Sequence, residues 1–489
     1  MKYPLFKKIF LFLFLFTEIQ QVDAQKWVEQ KYAISTKTDV PYAEVVDFAG
    51  NKRTLKLYLS LPIDDQPSVC GRPLLLLIHG GAFLAGSKND GLLNSGMKDF
   101  AKRGYVTASI DYRLGMFNTE KQVHCNVTQL FNAPWDCLNV TDTVEWYRAF
   151  FRAVQDGNRA IDFLLSKSEL NIDKRNVFIL GESAGAITAL GVGFLDKQEE
   201  ILSLFQKQND ALAPNLLYQD LCIRQTGYDT GIAFMNLTRP DLVTDYNPAS
   251  SRNYKIKGVA SFYGAMFYDL FQHRNSDHDL PSLYLFHQPN DLVVSIGYKK
   301  VLQDLAACFS ALGGCQDIIS RPLVAGSDLL NTRYKNLIGG VQTKAELIYD
   351  RTANNGDCLF QVLNPTSGGG HTVDNYLLRT QTVATLFAKR MDESSPCTVG
   401  NESIVKEDTK LEIFPNPGNG MVQLQTNGFI HKCEVFTIEG KRVLLRNSDD
   451  LSMNKKIDIS HLSPGIYLLN VLVDNKMYMK KLMVASGKL

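Results

Sequence analysis

The residues best placed to do chemistry are Gly181-Glu182-Ser183-Ala184-Gly185, which follow the apolar run Val177-Phe178-Ile179-Leu180 and precede a helix-compatible stretch. Ser183 therefore sits where a strand turns sharply into a helix, as in a nucleophile elbow. Glycines on either side suit such a turn, which leaves no room for β-carbons. Upstream, Leu74-Leu75-Leu76-Leu77-Ile78 reads as a buried strand running into His79-Gly80-Gly81-Ala82-Phe83. A glycine turn there can aim bare N–H groups outward. When a serine attacks an ester or amide carbonyl, negative charge develops on oxygen, and each preorganised donor facing it is worth roughly 10² to 10³ in rate. Gly80, Gly81 and the Ala184 N–H are the candidate oxyanion hole.

A serine nucleophile needs a base to take its proton and a carboxylate to hold that base in the correct tautomer. On a strand-turn-helix elbow of this kind the chain order is serine, then acid, then histidine. Ser282-Leu283-Tyr284-Leu285-Phe286-His287-Gln288-Pro289-Asn290-Asp291 offers Asp291 in a turn directly after a strand, where it could otherwise serve only as a cap before Leu292-Val293-Val294. Asp269, Asp277 and Asp279 are weaker rivals, because no predicted strand runs directly into them. His371 follows Gly368-Gly369-Gly370 in a loop before the closing helix and satisfies the order. His273 and His278 precede the acid, His287 lies inside its motif, His124 precedes the serine, and His431 and His461 are in the tail. The candidate catalytic set is Ser183, Asp291 and His371, and it requires neither cofactor nor metal.

These loops need a frame. Alternation from Tyr32 to Pro62 with a turn at Gly50-Asn51 predicts an antiparallel pair of strands. Further strands are expected at Leu74 to Ile78, Tyr105 to Ile110, Val177 to Leu180, Gly258 to Phe262, Leu283 to Phe286 and around Leu359 to Val362. Helices are expected from about Tyr147 to Leu165 and from about Tyr376 to Met391. Alternating strands and helices predict an α/β fold with a mostly parallel central sheet and helices on both faces. Met116 to Glu145 and about Asp196 to Asn253 interrupt the rhythm and are candidate lids or substrate walls over the strand ends. Trp135 lies in the first of them, and Asp317 to Gly356 carries no readable role.

The 489 residues are 45% hydrophobic and 21% charged with a formal net charge of +1, enough to bury a large core and to form two domains. Without a long basic block interleaved with aromatics, neither nucleic acid nor an acidic membrane is the expected partner. Lys2, Lys7 and Lys8 precede the apolar stretch Ile9 to Phe16, which is short of the roughly 20 residues a spanning helix needs. Residues 1–24 therefore read as a secretory signal peptide with cleavage near Ala24, and no later segment is expected to span a bilayer. Nine cysteines in an exported chain favour disulfides. Eight lie between Cys70 and Cys397, with Cys433 alone near the end. The short-range candidates are Cys125 with Cys137 and Cys308 with Cys315, and the spacings lack a metal-binding pattern. The organisation is then a signal peptide (1–24), a catalytic domain (25–392), a polar linker (393–409) and a small all-β sandwich (410–489), the last from alternating runs at Met421 to Gln425, Glu434 to Ile438, Arg442 to Leu445 and Gly465 to Val473.

Taken together, His79-Gly80-Gly81-Ala82-Phe83, Asp111-Tyr112-Arg113-Leu114-Gly115, Gly181-Glu182-Ser183-Ala184-Gly185 and the Asp291 and His371 loops resemble the α/β-hydrolase superfamily, within it the carboxylesterase and esterase/lipase families. With Asp291 as acid in a compact chain, the likeness is closer to bacterial esterases than to type-B carboxylesterases, which generally use Glu. The tail, through Phe414-Pro415-Asn416-Pro417, Gly440-Lys441, Asp458 to Tyr467 and Lys480-Lys481-Leu482-Met483-Val484, resembles the C-terminal sorting domain of the type IX secretion system. That resemblance implies partnership with the type IX machinery, passage across the outer membrane of a Gram-negative bacterium and removal of the tail. The expected activity is hydrolysis of carboxylic esters, small or polymeric, through an acyl-enzyme. A prolyl-oligopeptidase-like serine peptidase and an exported adhesin on a hydrolase fold are the competing readings.

Overall fold

The computed structural model describes residues 26–48, 52–63, 65–67, 70–116, 143–207, 211–212, 237–250, 252–274, 280–310, 321–352, 358, 360, 364, 370–392, 411–426, 429–437, 441–447, 455–473 and 476–485. The expected signal peptide, the turn at Gly50-Asn51, the linker, Trp135, Cys125 and Cys137 lie outside them, as do residues 117–142 of the first expected insertion and 208–210, 213–236 and 251 of the second. The chain divides into two compact units between Cys397 and Thr398.

In the first unit the strands of the central sheet are β1 (Ile34–Val46), β2 (Lys52–Pro62), β3 (Arg72–Ile78), β4 (Val106–Ile110), β5 (Ile172–Glu182), β6 (Ile256–Phe262), β7 (Ser282–His287) and β8 (Leu347–Arg351). They form one eight-stranded sheet in the order β1-β2-β4-β3-β5-β6-β7-β8. The β1/β2 and β2/β4 pairs are antiparallel, and the strands from β4 through β8 run parallel. The helices are α1 (Gly91–Lys102), α2 (Thr143–Leu165), α3 (Ala184–Phe194), α4 (Gln303–Ser310), α5 (Ser327–Gly339) and α6 (Tyr376–Ala388).

The leucine run of β3 shows why helices cover both faces. Successive side chains of a strand point to opposite sides, so Leu74, Leu76 and Ile78 join a core with Phe150, Val154 and Leu190 of α2 and α3. Leu75 and Leu77 join a second core with Leu93, Met97, Phe100, Val383 and Phe387 of α1 and α6. All five strand residues are fully buried, which is the signature of a parallel sheet covered on both faces.

Two sequence expectations fail here. The last strand of the sheet lies before the stretch where it was expected: β8 spans Leu347–Arg351, paired in parallel with β7, and of the described residues beside Leu359, Cys358 and Phe360 are helical. A short apolar run fits strand or helix equally well, whereas β8 is an edge strand, only half-buried, and lacks an apolar run to announce it. Cys308 pairs not with Cys315 but with Cys358, 50 residues away. Closeness in sequence does not set the pairing; α4 carries Cys308 to a Cα–Cα distance of 5.6 Å from Cys358, within the span a disulfide needs. Cys70 is also disulfide-bonded, and Cys433 is free and buried in the second unit.

The second unit is built from β9 (Glu412–Phe414), β10 (Met421–Gln425), β11 (Ile430–Thr437), β12 (Arg442–Asn447), β13 (Lys456–Asp458), β14 (Gly465–Val473) and β15 (Lys476–Val484). They make a three-stranded sheet, β9-β10-β13, and a four-stranded sheet, β12-β11-β14-β15. Val422, Leu424 and Ile457 from the first share a core with Val435, Leu469 and Val471 from the second, so the alternating pattern closes into a sandwich.

One buried ion pair braces the first unit. Arg113, just after β4, lies 2.8 Å from Asp156 of α2, and both side chains are almost wholly buried. Removing Arg113 leaves the buried Asp156 carboxylate with the weaker Arg159 contact at 3.2 Å, a loss near the low end of the roughly 3–5 kcal/mol that breaking a buried pair costs. Arg113→Met is therefore expected to lower stability by that amount in equilibrium urea unfolding followed by tryptophan fluorescence, since Trp27, Trp135 and Trp146 all belong to this unit. An unchanged midpoint would show that the pair carries no such weight.

Candidate active site

The loops at the carboxyl ends of β3, β5 and β7, with the segment that enters α6, bring together the residues singled out from sequence, as expected where ligands bind in open α/β sheets. β5 ends at Glu182 and α3 begins at Ala184. Ser183 between them has φ 54° and ψ −122°, a strained conformation for a residue with a β-carbon. Its N–H donates to the Phe262 carbonyl at 3.0 Å and its own carbonyl accepts from the Ile187 N–H at 3.0 Å, so neighbouring β6 and the helix hold the turn. The elbow also needs Gly185 bare: a β-carbon there would lie 2.1 Å from the Ile78 carbonyl oxygen and 2.4 Å from that of His79.

This close approach sets the His79-Gly80-Gly81 loop directly against the serine. The loop is held in turn by the Tyr112 hydroxyl, which donates to the His79 carbonyl at 3.0 Å, and by stacking of the His79 and Tyr112 rings at 4.4 Å. Burial pulls the His79 imidazole below its usual range, and its Nδ1 lies 2.7 Å from the Gly80 carbonyl, an oxygen that can only accept. Asp111 anchors the other side of the loop, taking the Lys88 N–H at 2.9 Å and the Lys88 ammonium at 3.0 Å. Gly80 packs against the serine, since a β-carbon on it would lie 3.0 Å from Ser183 Cβ. The Asp111-Tyr112-Arg113 motif is the brace of that loop.

Asp291 follows β7. Its Oδ1 accepts from the Val293 and Val294 N–H groups at 2.8 and 2.9 Å, the capping contact that sequence offered as its alternative use. Its Oδ2 meets His371 Nδ1 at 2.7 Å, so one carboxylate does both. His371 Nε2 lies 2.7 Å from Ser183 Oγ. Burial pushes the Asp291 carboxyl up, but His371 and His287 outweigh it and hold the group below the ordinary carboxylate range. Gln288 Nε2 donates to the Thr372 carbonyl at 2.8 Å, tying the acid loop to the histidine loop. The rival Asp269 instead accepts from the Phe271 N–H and lies 3.7 Å from Arg333.

Three side chains to which the sequence analysis gave no role surround this line. His287, at the end of β7, contacts Asp291 Oδ2 at 3.2 Å. Tyr263 places its ring 4.5 Å from that of His371, and its hydroxyl donates to Glu182 Oε2 at 3.1 Å. Glu182 is buried, and its Oε1 meets no hydrogen-bond partner among the described residues. The only textual signals were a histidine four positions before the acid and a glutamate beside the serine. No group of side chains able to hold a metal ion occurs among the described residues, nor is any of their helices long and apolar enough to cross a membrane.

Comparison with known proteins extends this picture. Residues 59–122, which include β3, α1 and β4, match the family described as BD-FAE, and residues 412–485 match the family described as secretion system C-terminal sorting domain. The first unit accordingly has an α/β-hydrolase fold with an esterase-like stretch at residues 59–122, and the second matches a secretion sorting domain over most of its length. A curated relative, the methylphloroacetophenone synthase of Cladonia uncialis, is 29% identical over 164 residues, 33% of this chain and 6% of that protein, so the chain spans only a small part of its length. Among solved structures, esterase B of Lactobacillus rhamnosis is 14% identical, covering 76% of this chain and 92% of its own, with a TM-score of 0.33. Esterase 2 of Thermogutta terrifontis is 16% identical, covering 72% and 93%, with a TM-score of 0.35.

Burial without full pairing pushes the Glu182 carboxyl up to about 8, with Asp90 adding to the shift. The folded chain then keeps a proton that the unfolded chain releases at ordinary carboxyl pH, so stability falls as pH rises from about 4.5 and levels off above about 8. Glu182→Gln removes this dependence. Its melting temperature relative to the parent should rise with pH across that window and converge with the parent below it, as read by thermal unfolding from pH 4 to 9; parallel curves would contradict the buried neutral carboxyl.

Proposed function

We propose that the chain is a secreted serine carboxylesterase, with Ser183 as nucleophile, His371 as general base and acid, and Asp291 as the residue that orients the imidazole. The observation that carries this reading is the unbroken line Ser183 Oγ to His371 Nε2 to Asp291 Oδ2, with both contacts at 2.7 Å, on a strained elbow beside a glycine loop. A nucleophile hydrogen-bonded to a base that is itself oriented by a third group is the arrangement acyl transfer requires.

The steps follow from the donors and acceptors. Ser183 Oγ attacks the ester carbonyl carbon as its proton passes to His371 Nε2, and the imidazolium formed is stabilised by Asp291. The carbonyl oxygen gains negative charge, which the N–H groups of Gly80, Gly81 and Ala184 stabilise by donating hydrogen bonds to it. Collapse breaks the bond to the alcohol oxygen, which leaves with the proton from His371. Water, deprotonated by the same Nε2, then attacks the acyl-enzyme, and the acid departs with Ser183 restored. The chemistry calls for no cofactor. The sorting domain supports delivery through the type IX machinery to the cell surface or beyond, where small or polymeric esters are the substrates in reach.

The test is hydrolysis of 4-nitrophenyl esters of increasing acyl length by the full chain and by Ser183→Ala. Turnover should fall by roughly 10⁴ to 10⁶-fold in the variant, and the chain-length profile of the parent would size the acyl site. A folded variant with near-parental activity would overturn the assignment, as would a parent that cleaves peptide amides and leaves esters intact.

A further inference from the structure

Beyond the three proposed catalytic residues, a second buried histidine touches the acid. His287 is wholly buried at the end of β7. Its Nε2 lies 2.8 Å from the Val294 carbonyl and 3.2 Å from Asp291 Oδ2. Both are acceptors only, a carbonyl and a carboxylate with lowered proton affinity, so Nε2 carries a hydrogen and donates it. On the far side of the ring, Nδ1 lies 2.8 Å from the hydroxyl of Ser327, the fully buried first residue of α5. A hydroxyl donating into Nδ1 leaves Nε2 as the N–H of the ring.

We propose that His287, set in one tautomer by Ser327, is a positioning residue that fixes the Asp291 carboxylate in the plane His371 requires. The inference rests on the serine-esterase reading and adds two residues to it. Asp291 Oδ1 is already held by the Val293 and Val294 N–H groups, which leaves rotation of the carboxylate about that oxygen to be restrained at Oδ2. There the two donors are His371 and His287, one reacting and one fixed by β7. The fixed donor also draws charge from the carboxylate, which tunes how strongly Asp291 stabilises the imidazolium of His371. The groups facing Asp291 are therefore His371, His287 and the two backbone amides, with Ser327 behind His287.

The test compares His287→Phe, His287→Gln and Ser327→Ala in the full chain with 4-nitrophenyl butyrate. Losing a hydrogen bond to a charged group is worth about 10- to 100-fold. His287→Phe should lower kcat by that factor with KM within about twofold. The acidic limb of its kcat/KM profile, which reports the free-enzyme base, should move to higher pH, because an unshared carboxylate stabilises imidazolium more strongly. His287→Gln, whose amide N–H reaches toward the same oxygen, should recover most of kcat. Parental kcat and an unmoved limb in folded His287→Phe, or His287→Gln impaired as fully as His287→Phe, would overturn the proposal. If His287→Phe does not fold, Ser327→Ala decides: it removes one hydroxyl, and an unchanged kcat and limb would contradict the tautomer lock. Should the parent itself lack ester turnover, the esterase reading fails, and the downfield proton resonance of the His371 Nδ1–H tests His287 separately: an unshifted resonance in His287→Phe and Ser327→Ala would overturn the positioning role.

Discussion

The imidazole of His371 must meet two partners far away in sequence, 188 residues from Ser183 and 80 from Asp291, with only a few tenths of an ångström of latitude in each hydrogen bond. Loops alone cannot hold such tolerances. Here the carboxyl ends of adjacent parallel strands do so, since β5 delivers the serine, β6 secures its N–H through Phe262, and β7 delivers the acid. The strain at Ser183 persists because its neighbours over-determine it: Gly185 packs on the end of β3, and α3 starts on the serine carbonyl. Local backbone strain of this kind is typically worth about 1–3 kcal/mol and is offset by the core that β3 and β5 share with the helices.

Polar groups beneath the site divide into two kinds. Asp291 is buried yet receives four donors, so it stays ionised and useful to a base. Glu182 is buried with Tyr263 as its hydrogen-bond donor and is pushed toward its neutral form. Two buried carboxyls thus shift in opposite directions, Asp291 lowered by its donors and the neighbouring histidines and Glu182 raised by burial and Asp90, and Asp291 is the one that meets His371. A neutral Glu182 spares the serine a second negative charge at the point where the oxyanion forms.

Much of the fold and the contents of the site were legible in the sequence, because each catalytic candidate sits beside a signal that physics makes conspicuous. A fully buried strand leaves an apolar run, as at Leu74 to Ile78 and Val177 to Leu180, and the turn that follows must be small, as at Gly80-Gly81 and Gly181 to Gly185. Where burial is partial the signal fades: β8 mixes Asp350 and Arg351 into a half-buried edge, and the apolar stretch near Leu359 took its place in the reading. Cysteine spacing misled for a related reason, since the Cys308 to Cys358 bond depends on how α4 packs and not on sequence proximity. His287 and Tyr263 were illegible because a buried histidine or tyrosine carries no pattern until its neighbours are in place.

Covalent capture of the nucleophile probes the account most directly. The full chain is treated with a fluorophosphonate, and its intact mass and peptide map are measured, with His371→Ala in parallel. A single adduct on the peptide containing Ser183, formed rapidly in the parent and strongly slowed in the variant, is the expected result, because only a serine activated by its histidine reacts in this way. Equal labelling of both proteins, or an adduct on another serine, would contradict the central claim.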